Sequence, residues 1–359
     1  MCSRELRSFK SLGVEWIGLE LNNTCNIRCT FCPVTFPELQ RPKQERILDK
    51  EVIFKVLEEI KEDGTLQNVT LNDYGEPFMY PYLEDVFRFC KENRLRMRFA
   101  TNGTYFNDKN IELLRKYQPE EMVISVQCFQ KESYQKVKGT KIDYDSWLDQ
   151  IANFLKTHKE EDLDINVQVA IASNSHNSLR NRVLGLRLGD TNLPYPDKKF
   201  YQELNLFIES FCVDRMNIDF KEKEINKKKY SMYTRYYQIT PKIGFEIKGF
   251  EDSTHYYNFK EAKYVDCYLP YLIINSQGKL LMCCTDYIAG TSLGNIKEKS
   301  IKEILVENYD VFINKYYCKG RIELCRKCKG EGTYRGLFLG QIINILRNIK
   351  RELNKEKTH

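Results

Sequence analysis

From Val14 to Phe220 the chain alternates strand-like and helix-like segments, and this alternation restricts its fold more than any other feature. Apolar or β-branched runs stand at Val14–Leu21, Asn68–Asn72, Arg96–Ala100, Met122–Gln127, Ile165–Ile171 and Met216–Phe220. Between them Lys50–Lys61, Tyr82–Lys91, Asp108–Tyr117 and Tyr144–Thr157 carry apolar residues at i, i+3 and i+4 spacing. Repeated βα units predict an α/β fold with a parallel sheet and right-handed crossovers. Periodicity alone fits a curled sheet and an open one.

The loop after the first run reads Leu21-Asn-Asn-Thr-Cys25-Asn-Ile-Arg-Cys29-Thr-Phe-Cys32-Pro33. Cys-x3-Cys-x2-Cys gathers three thiolates in one short loop, with Phe31 just before the third. Three thiolates hold three corners of a [4Fe–4S] cube and leave the fourth iron open to a small molecule. A structural zinc ion takes four ligands, usually from Cys-x2–4-Cys pairs, so the triad favours the cube. A loop that follows the first strand opens on the C-terminal face of the strands, where barrel folds collect their chemistry.

Three further elements follow at later strand ends. After the second run comes Asn72-Asp-Tyr-Gly75-Glu76-Pro77; the third ends in Ala100-Thr101-Asn102-Gly103; the fourth reads Ile124-Ser125-Val126-Gln127. Gly75 permits a close backbone approach, and the acid after it can receive an ammonium group. Each motif is common as a turn by itself. Their order behind the cysteine loop is the signal.

Together these elements resemble the radical S-adenosylmethionine (SAM) superfamily. The resemblance implies that the sheet curls into a partial (β/α)6 barrel. It implies a [4Fe–4S] cluster on Cys25, Cys29 and Cys32, whose open iron chelates the amino and carboxylate groups of SAM. Gly75, Glu76 and Pro77 would then hold the methionyl amino group, and Thr101, Asn102, Ser125 and Gln127 the ribose and carboxylate. Phe31 would pack near the adenine or serve as a core aromatic. A one-electron donor such as flavodoxin or ferredoxin would reduce the cluster. Cleavage of SAM then yields a 5′-deoxyadenosyl radical that takes a hydrogen atom from substrate, the cofactor supplying the hard chemistry.

A second group of cysteines begins at Cys267-Tyr-Leu-Pro270-Tyr271. It runs through Ile274-Asn-Ser-Gln-Gly278 to Cys283-Cys284, then Gly294-Asn295-Ile296, and closes at Cys325-Arg-Lys-Cys328. The middle reads as a hairpin around the Ser-Gln-Gly-Lys turn. This pattern resembles the SPASM or shorter twitch extension of radical SAM proteins, which carries auxiliary iron–sulfur clusters. Cys267, Cys283, Cys325 and Cys328 suffice for one auxiliary [4Fe–4S] cluster; a zinc ribbon would use the closing Cys-x2-Cys equally well. Cys283 and Cys284 face opposite ways on a strand, and the spacing from Gly278 favours Cys283. Cys318 is a spare, and Cys2, Cys90, Cys128 and Cys212 read as small buried hydrophobes.

The chain thus divides into a core barrel (1–225), a tyrosine-rich bridge (226–262), an auxiliary cluster domain of hairpin plus helix (263–330) and a basic amphipathic helix (331–359). That last segment places Phe338, Ile342, Ile345, Leu346, Ile349 and Leu353 opposite Arg347, Lys350 and Arg351. It suits an anionic membrane surface or docking onto the body. Arg180, Arg182 and Arg187 suit an anionic substrate or a solvated helix face. The net charge of +6 is dispersed among nearly as many acids, which leaves no nucleic-acid footprint. Residues 1–10 lack the apolar stretch of a signal peptide and no apolar run is long enough to span a bilayer, so a cytoplasmic location is the expectation, and thirteen cysteines there point to metal or redox chemistry.

One auxiliary cluster would accept the electron of a substrate radical, so the leading expectation is dehydrogenation of a sugar, cyclitol or related polar metabolite. A peptide maturase is the alternative within the same chemistry. A non-catalytic iron–sulfur or zinc protein is the alternative outside it.

Overall fold

A computed structural model describes residues 8–173, 194, 197–218, 226–230, 233–249, 271–283 and 286–308. Strands β1 (Trp16–Leu19), β2 (Asn68–Thr70), β3 (Arg96–Thr101), β4 (Glu121–Gln127) and β5 (Asn166–Ser173) pair in parallel and in chain order. Beyond β5 the chain forms β6 (Asn226–Tyr230), β7 (Tyr233–Gln238) and β8 (Ile243–Gly249). Of these β8 lies parallel to β5, while β7 and β6 continue outward antiparallel.

Helices α1 (Lys50–Asp63), α2 (Leu83–Glu92), α3 (Asp108–Tyr117), α4 (Lys131–Lys138) and α5 (Tyr144–Glu160) fill the crossovers. Strand alternation decides which face they cover. Ile17, Val69, Met97, Phe99, Met122, Ile124, Val167 and Val169 belong to one core with Val56 and Leu57 of α1, Phe87 of α2 and Ile151 of α5. Each such side chain contributes about 1.5–3 kcal/mol on full burial. Side-chain oxygens fix two helix starts: Asn107 accepts from Asn110 N, and Asp143 from Ser146 N.

The other face of the sheet carries Gly18, Arg98, Ala100, Glu121, Ser125, Gln168 and Ala170. Trp16 of β1 and Lys242, just before β8, line one cavity of about 310 Å³ with Met97, Glu121 and Asn166. In a flat sheet their strands would stand about 24 Å apart. The sheet therefore curls into the partial barrel.

The strand expected at Met216–Phe220 is not formed over its described residues. Phe211–Arg215 is a π-helical turn, and Met216 and Ile218 are buried in the core rather than paired in the sheet. The sixth parallel strand is β8, which lies in the segment read as a bridge.

The expected hairpin is present as β9 (Tyr271–Ile274) and β10 (Lys279–Leu281). It does not stand apart: β9 runs parallel beside β1, from Trp16 opposite Tyr271 to Leu19 opposite Ile274. A short β11 (Gly294–Asn295) completes that edge. The following helix, Ile301–Glu307, starts at a Ser300–Glu303 capping box. Glu59 of α1 accepts from Ile301 N and Lys302 N, both at 2.8 Å, which docks it on the core. Cys267, Cys325, Cys328, the three arginines at 180, 182 and 187, and the segment 331–359 lie outside the described residues.

Candidate cofactor-binding site

The cysteine loop is clamped from both sides at the C-terminal end of β1. On one side Arg28 N and Thr30 N donate to the carbonyls of Lys138 and Val137, both at 3.0 Å, where α4 ends. Gly139 there has φ +55°, and a Cβ on it would lie 2.1 Å from Arg28 O. On the other side Asn22 Nδ2 donates to Glu76 O at 2.9 Å, and Glu76 N to Thr24 O at 2.8 Å. Gly75 has φ +83°, and its Cβ would meet Asn22 O at 2.3 Å. The close approach that Gly75 permits is to the cysteine loop itself. Within the loop Cys32 N donates to Cys29 O, and Thr35 Oγ1 to the carbonyls of Cys32 and Cys29.

Cys29 is buried, while Cys25 and Cys32 are partly exposed. Phe31 is buried with Ile27, Cys29, Cys128, Val137 and Ala172 in a small apolar cluster, so it serves there as a core aromatic. Burial pushes the Cys25 thiol up to about 11, and pushes Cys29 and Cys32 up as well. Thiols in such surroundings give up their protons to a metal rather than to water, because coordination deprotonates them outright. Among the described residues no three His, Cys, Asp or Glu converge as a single metal ion needs. Thiolates on a cube each take a different iron corner, so the triad need not converge on one point.

Glu76 is 1% exposed and caps the short 3-10 turn Pro77–Met79. Its carboxylate accepts from Thr101 Oγ1 and Asn102 N, both at 2.8 Å, and from Phe78 N at 3.4 Å. Asn102 Nδ2 in turn lies 2.9 Å from Asn26 Oδ1 and 3.5 Å from Cys25 Sγ. Thr101 and Asn102 thus bind Glu76 and the cysteine loop to each other. Gln127 has φ +62° and uses its Oε1 on Lys138 Nζ and the Cys29 thiol. Ser125 is partly exposed, and its carbonyl also accepts from Lys138. At the end of β5, Ala172 packs against the cysteine loop, while Ser173, of the opposite parity, has a buried Oγ with no hydrogen-bond partner among the described residues.

The sequence profile of the radical SAM superfamily matches residues 19–163, and that of the iron–sulfur cluster-binding SPASM domain matches residues 267–329. The chain belongs to the radical SAM superfamily. A protein of Methanocaldococcus jannaschii is 29% identical over 123 residues, 34% of this chain and 37% of its own length. The tungsten-containing aldehyde ferredoxin oxidoreductase cofactor-modifying protein of Pyrococcus furiosus is 26% identical over 101 residues, 28% of this chain and 27% of its own. The match thus spans about a third of each relative. Streptococcus suis SuiB bound to SAM shares the fold, with a TM-score of 0.53 at 16% identity over 92% of this chain and 76% of that one.

The two radical SAM and SPASM domains imply a [4Fe–4S] cluster, SAM and an auxiliary cluster, and the described residues fit the first cluster and SAM. Three buried or half-buried thiols share one loop, and a buried acid stands at the next strand end, bonded to Thr101 and Asn102. When bound, cluster and SAM supply a carbon-centred radical able to take a hydrogen atom from an unactivated C–H bond. Four features were not anticipated from the sequence. They are the buried Lys138, the buried Glu20–Arg41 pair, Tyr287 against Tyr74 at 4.9 Å between ring centres, and Asp73. Asp73 has no hydrogen-bond partner among the described residues; burial holds its carboxyl well above the usual range, and Glu20 and Cys283 add to that.

Burial also raises Glu76 to about 7, with its hydrogen bonds and Lys138 opposing. Cys25, Tyr105 and Lys138 are the other titratable groups that face it. If Glu76 receives the SAM amino group, as the radical SAM resemblance implies, binding favours its ionised carboxylate, and that form is lost as pH falls through about 7. SAM affinity of the reconstituted protein is expected to weaken about tenfold from pH 8 to pH 6. Equilibrium dialysis across that range, with Glu76→Gln alongside, isolates the Glu76 contribution. A profile identical in the two proteins would remove the assignment.

Proposed function

We propose that this radical SAM protein dehydrogenates a polar metabolite of the sugar or cyclitol class, with the auxiliary cluster as electron acceptor. The observation that carries this reading is the inward face of the curled sheet. Ala100 and Ala170 are small there, and the half-buried Ser125 and Gln168 offer donors and acceptors, while Arg98 and Glu121, paired at 3.3 Å, close the opposite, N-terminal end of the strands. Such a lining suits a hydroxylated ligand better than an apolar one. Asp73, at the C-terminal end of β2, can accept a substrate hydroxyl. The hairpin that leads to Cys283 lies directly beside β1, and Cys283 is near enough to raise the Asp73 carboxyl, which supports an acceptor close to the cysteine loop. In the overall change the substrate loses one hydrogen atom to the SAM-derived radical, one proton to a base and one electron to the acceptor, a net two-electron oxidation.

The test has two parts. Anaerobically reconstituted protein, a reductant and SAM are incubated with amino sugars, cyclitols and short peptides. A sugar or cyclitol product lighter by two hydrogens, formed in step with 5′-deoxyadenosine, is expected. The Cys25→Ala/Cys29→Ala/Cys32→Ala protein is expected to retain about four irons per chain. Peptide modification with the sugars untouched would replace this reading by a maturase. Loss of nearly all iron would remove the internal acceptor.

A further inference from the structure

Lys138 ends α4, has a side chain of the kind that normally reaches water, and is 1% exposed. Its ammonium is fully accommodated. Nζ donates to Ser125 O at 2.6 Å and to Gln127 Oε1 at 2.9 Å, and it lies 5.3 Å from the centre of the Trp147 ring. Two oxygens and one π-face are what three N–H bonds require. Gln127 Oε1 also takes the Cys29 thiol at 3.6 Å, so one amide oxygen joins the lysine to a cluster ligand. The carbonyls of Lys138 and Val137 hold the backbone of Arg28 and Thr30 on either side of Cys29. Burial lowers the lysine's hold on its proton, and Cys29, Cys25, Cys128 and Glu76 act the other way.

We infer that Lys138 is the internal counter-charge of the SAM-binding cluster, a positioning residue that raises the cluster's reduction potential. The reasoning concerns charge in a site shielded from water. Net charge and hydrogen bonds to sulfur are the protein's main means of setting an iron–sulfur potential. Reduction adds one negative charge, and a fixed positive charge in a low-dielectric site stabilises the reduced form more than the oxidised one. When Cys29 is bound to iron it has no proton to give Gln127 Oε1. The Gln127 amide would stay with Lys138, so the lysine charge would remain one side chain away from the Cys29 thiolate and would favour the reduced state. The inference rests on the cofactor set of the family and holds whichever substrate is used.

The measurement is a potentiometric titration followed by EPR, on the full-length holoprotein. The SAM-binding cluster is identified as the signal that changes on adding SAM. Lys138→Met is expected to lower its midpoint potential by at least tenfold in the one-electron equilibrium, which is about 59 mV. Lys138→Arg, which keeps the charge, is expected to restore most of that. An unchanged potential in a fully loaded Lys138→Met protein would overturn the inference, and so would an arginine variant displaced as far as the methionine one. If the methionine variant fails to load iron, Gln127→Glu decides. Its added negative charge should lower the potential, and an unaltered value rejects the counter-charge.

Discussion

Arg41→Met is expected to destabilise the protein by about 3–5 kcal/mol, the usual cost of stranding one partner of a buried ion pair. Glu20, at the end of β1, is 0% exposed, and Arg41 Nη1 meets both of its carboxylate oxygens at 2.8 Å. The same nitrogen donates to Ser276 Oγ at 2.7 Å, and Nη2 donates to Tyr287 O at 3.1 Å. Glu20 also accepts from Asn23 Nδ2, two residues before Cys25, at 2.5 Å, and Tyr287 OH donates to Asn23 Oδ1 at 2.8 Å. Burial already raises the Glu20 carboxyl, and Arg41 is the first force opposing that. Without the guanidinium, Glu20 must take up a proton or remain charged in an apolar setting, and the bonds from Arg41 to Ser276 and to Tyr287 O are lost. Chemical denaturation of the single variants and of Glu20→Gln/Arg41→Met checks this. The double variant should lose at least 1.5 kcal/mol less than the sum of the two singles, because residues in one network couple. Additive losses, or a loss under about 1 kcal/mol for Arg41→Met, would show that the pair is dispensable.

That network marks the boundary of what the sequence makes legible. Strands β1 to β5 and their helices follow from periodicity, since Met97, Phe99, Met122 and Ile124 must all face one side. The hairpin follows from its glycine turn. The sixth strand is hidden because Ile243-Gly-Phe-Glu-Ile alternates apolar with small or polar residues inside a tyrosine- and lysine-rich stretch, while Met216 and Ile218 offer a more apolar decoy. Those two are buried by packing at a helix end, a use of apolarity that leaves no period of its own. Within the site, the thiols and Glu76 are visible as motifs, but the roles of Thr101, Asn102 and Gln127 are decided by contacts 11 to 98 residues away in sequence. Lys138 reads as a solvated helix end. The clue is Gly139 after it, a left-handed residue where a Cβ would lie 2.1 Å from Arg28 O. Glu20 gives a similar clue, an acid at an inward position between Leu19 and Leu21.

Gly75→Ala is expected to cost about 2–5 kcal/mol and to empty the first cluster. Two effects combine. A φ of +83° is unfavourable for any L side chain, by about 1–2 kcal/mol. The added methyl would also lie 2.3 Å from Asn22 O, 2.8 Å from Asn22 Oδ1 and 2.9 Å from Thr24 O. Two of these atoms are backbone, so no side-chain rotation relieves them, and overpacking of this kind adds about 1–3 kcal/mol. Relief requires the segment Asn22–Thr24 to withdraw, which breaks the Glu76 N to Thr24 O bond and moves Cys25 away from Cys29 and Cys32. Gly64→Ala is the matched control. Gly64 has φ +67° but nothing within 4 Å of its Cβ position, so it shows the conformational cost alone. Denaturation midpoints and iron content of the two variants separate the effects: Gly64→Ala should keep all its iron, and Gly75→Ala should lose about four irons per chain. If Gly75→Ala loads iron fully and is no less stable than Gly64→Ala, then the contact between the two loops does not hold the cysteines in register. The third thiolate corner would then have to be fixed from the α4 side alone, through Val137, Lys138 and Gly139.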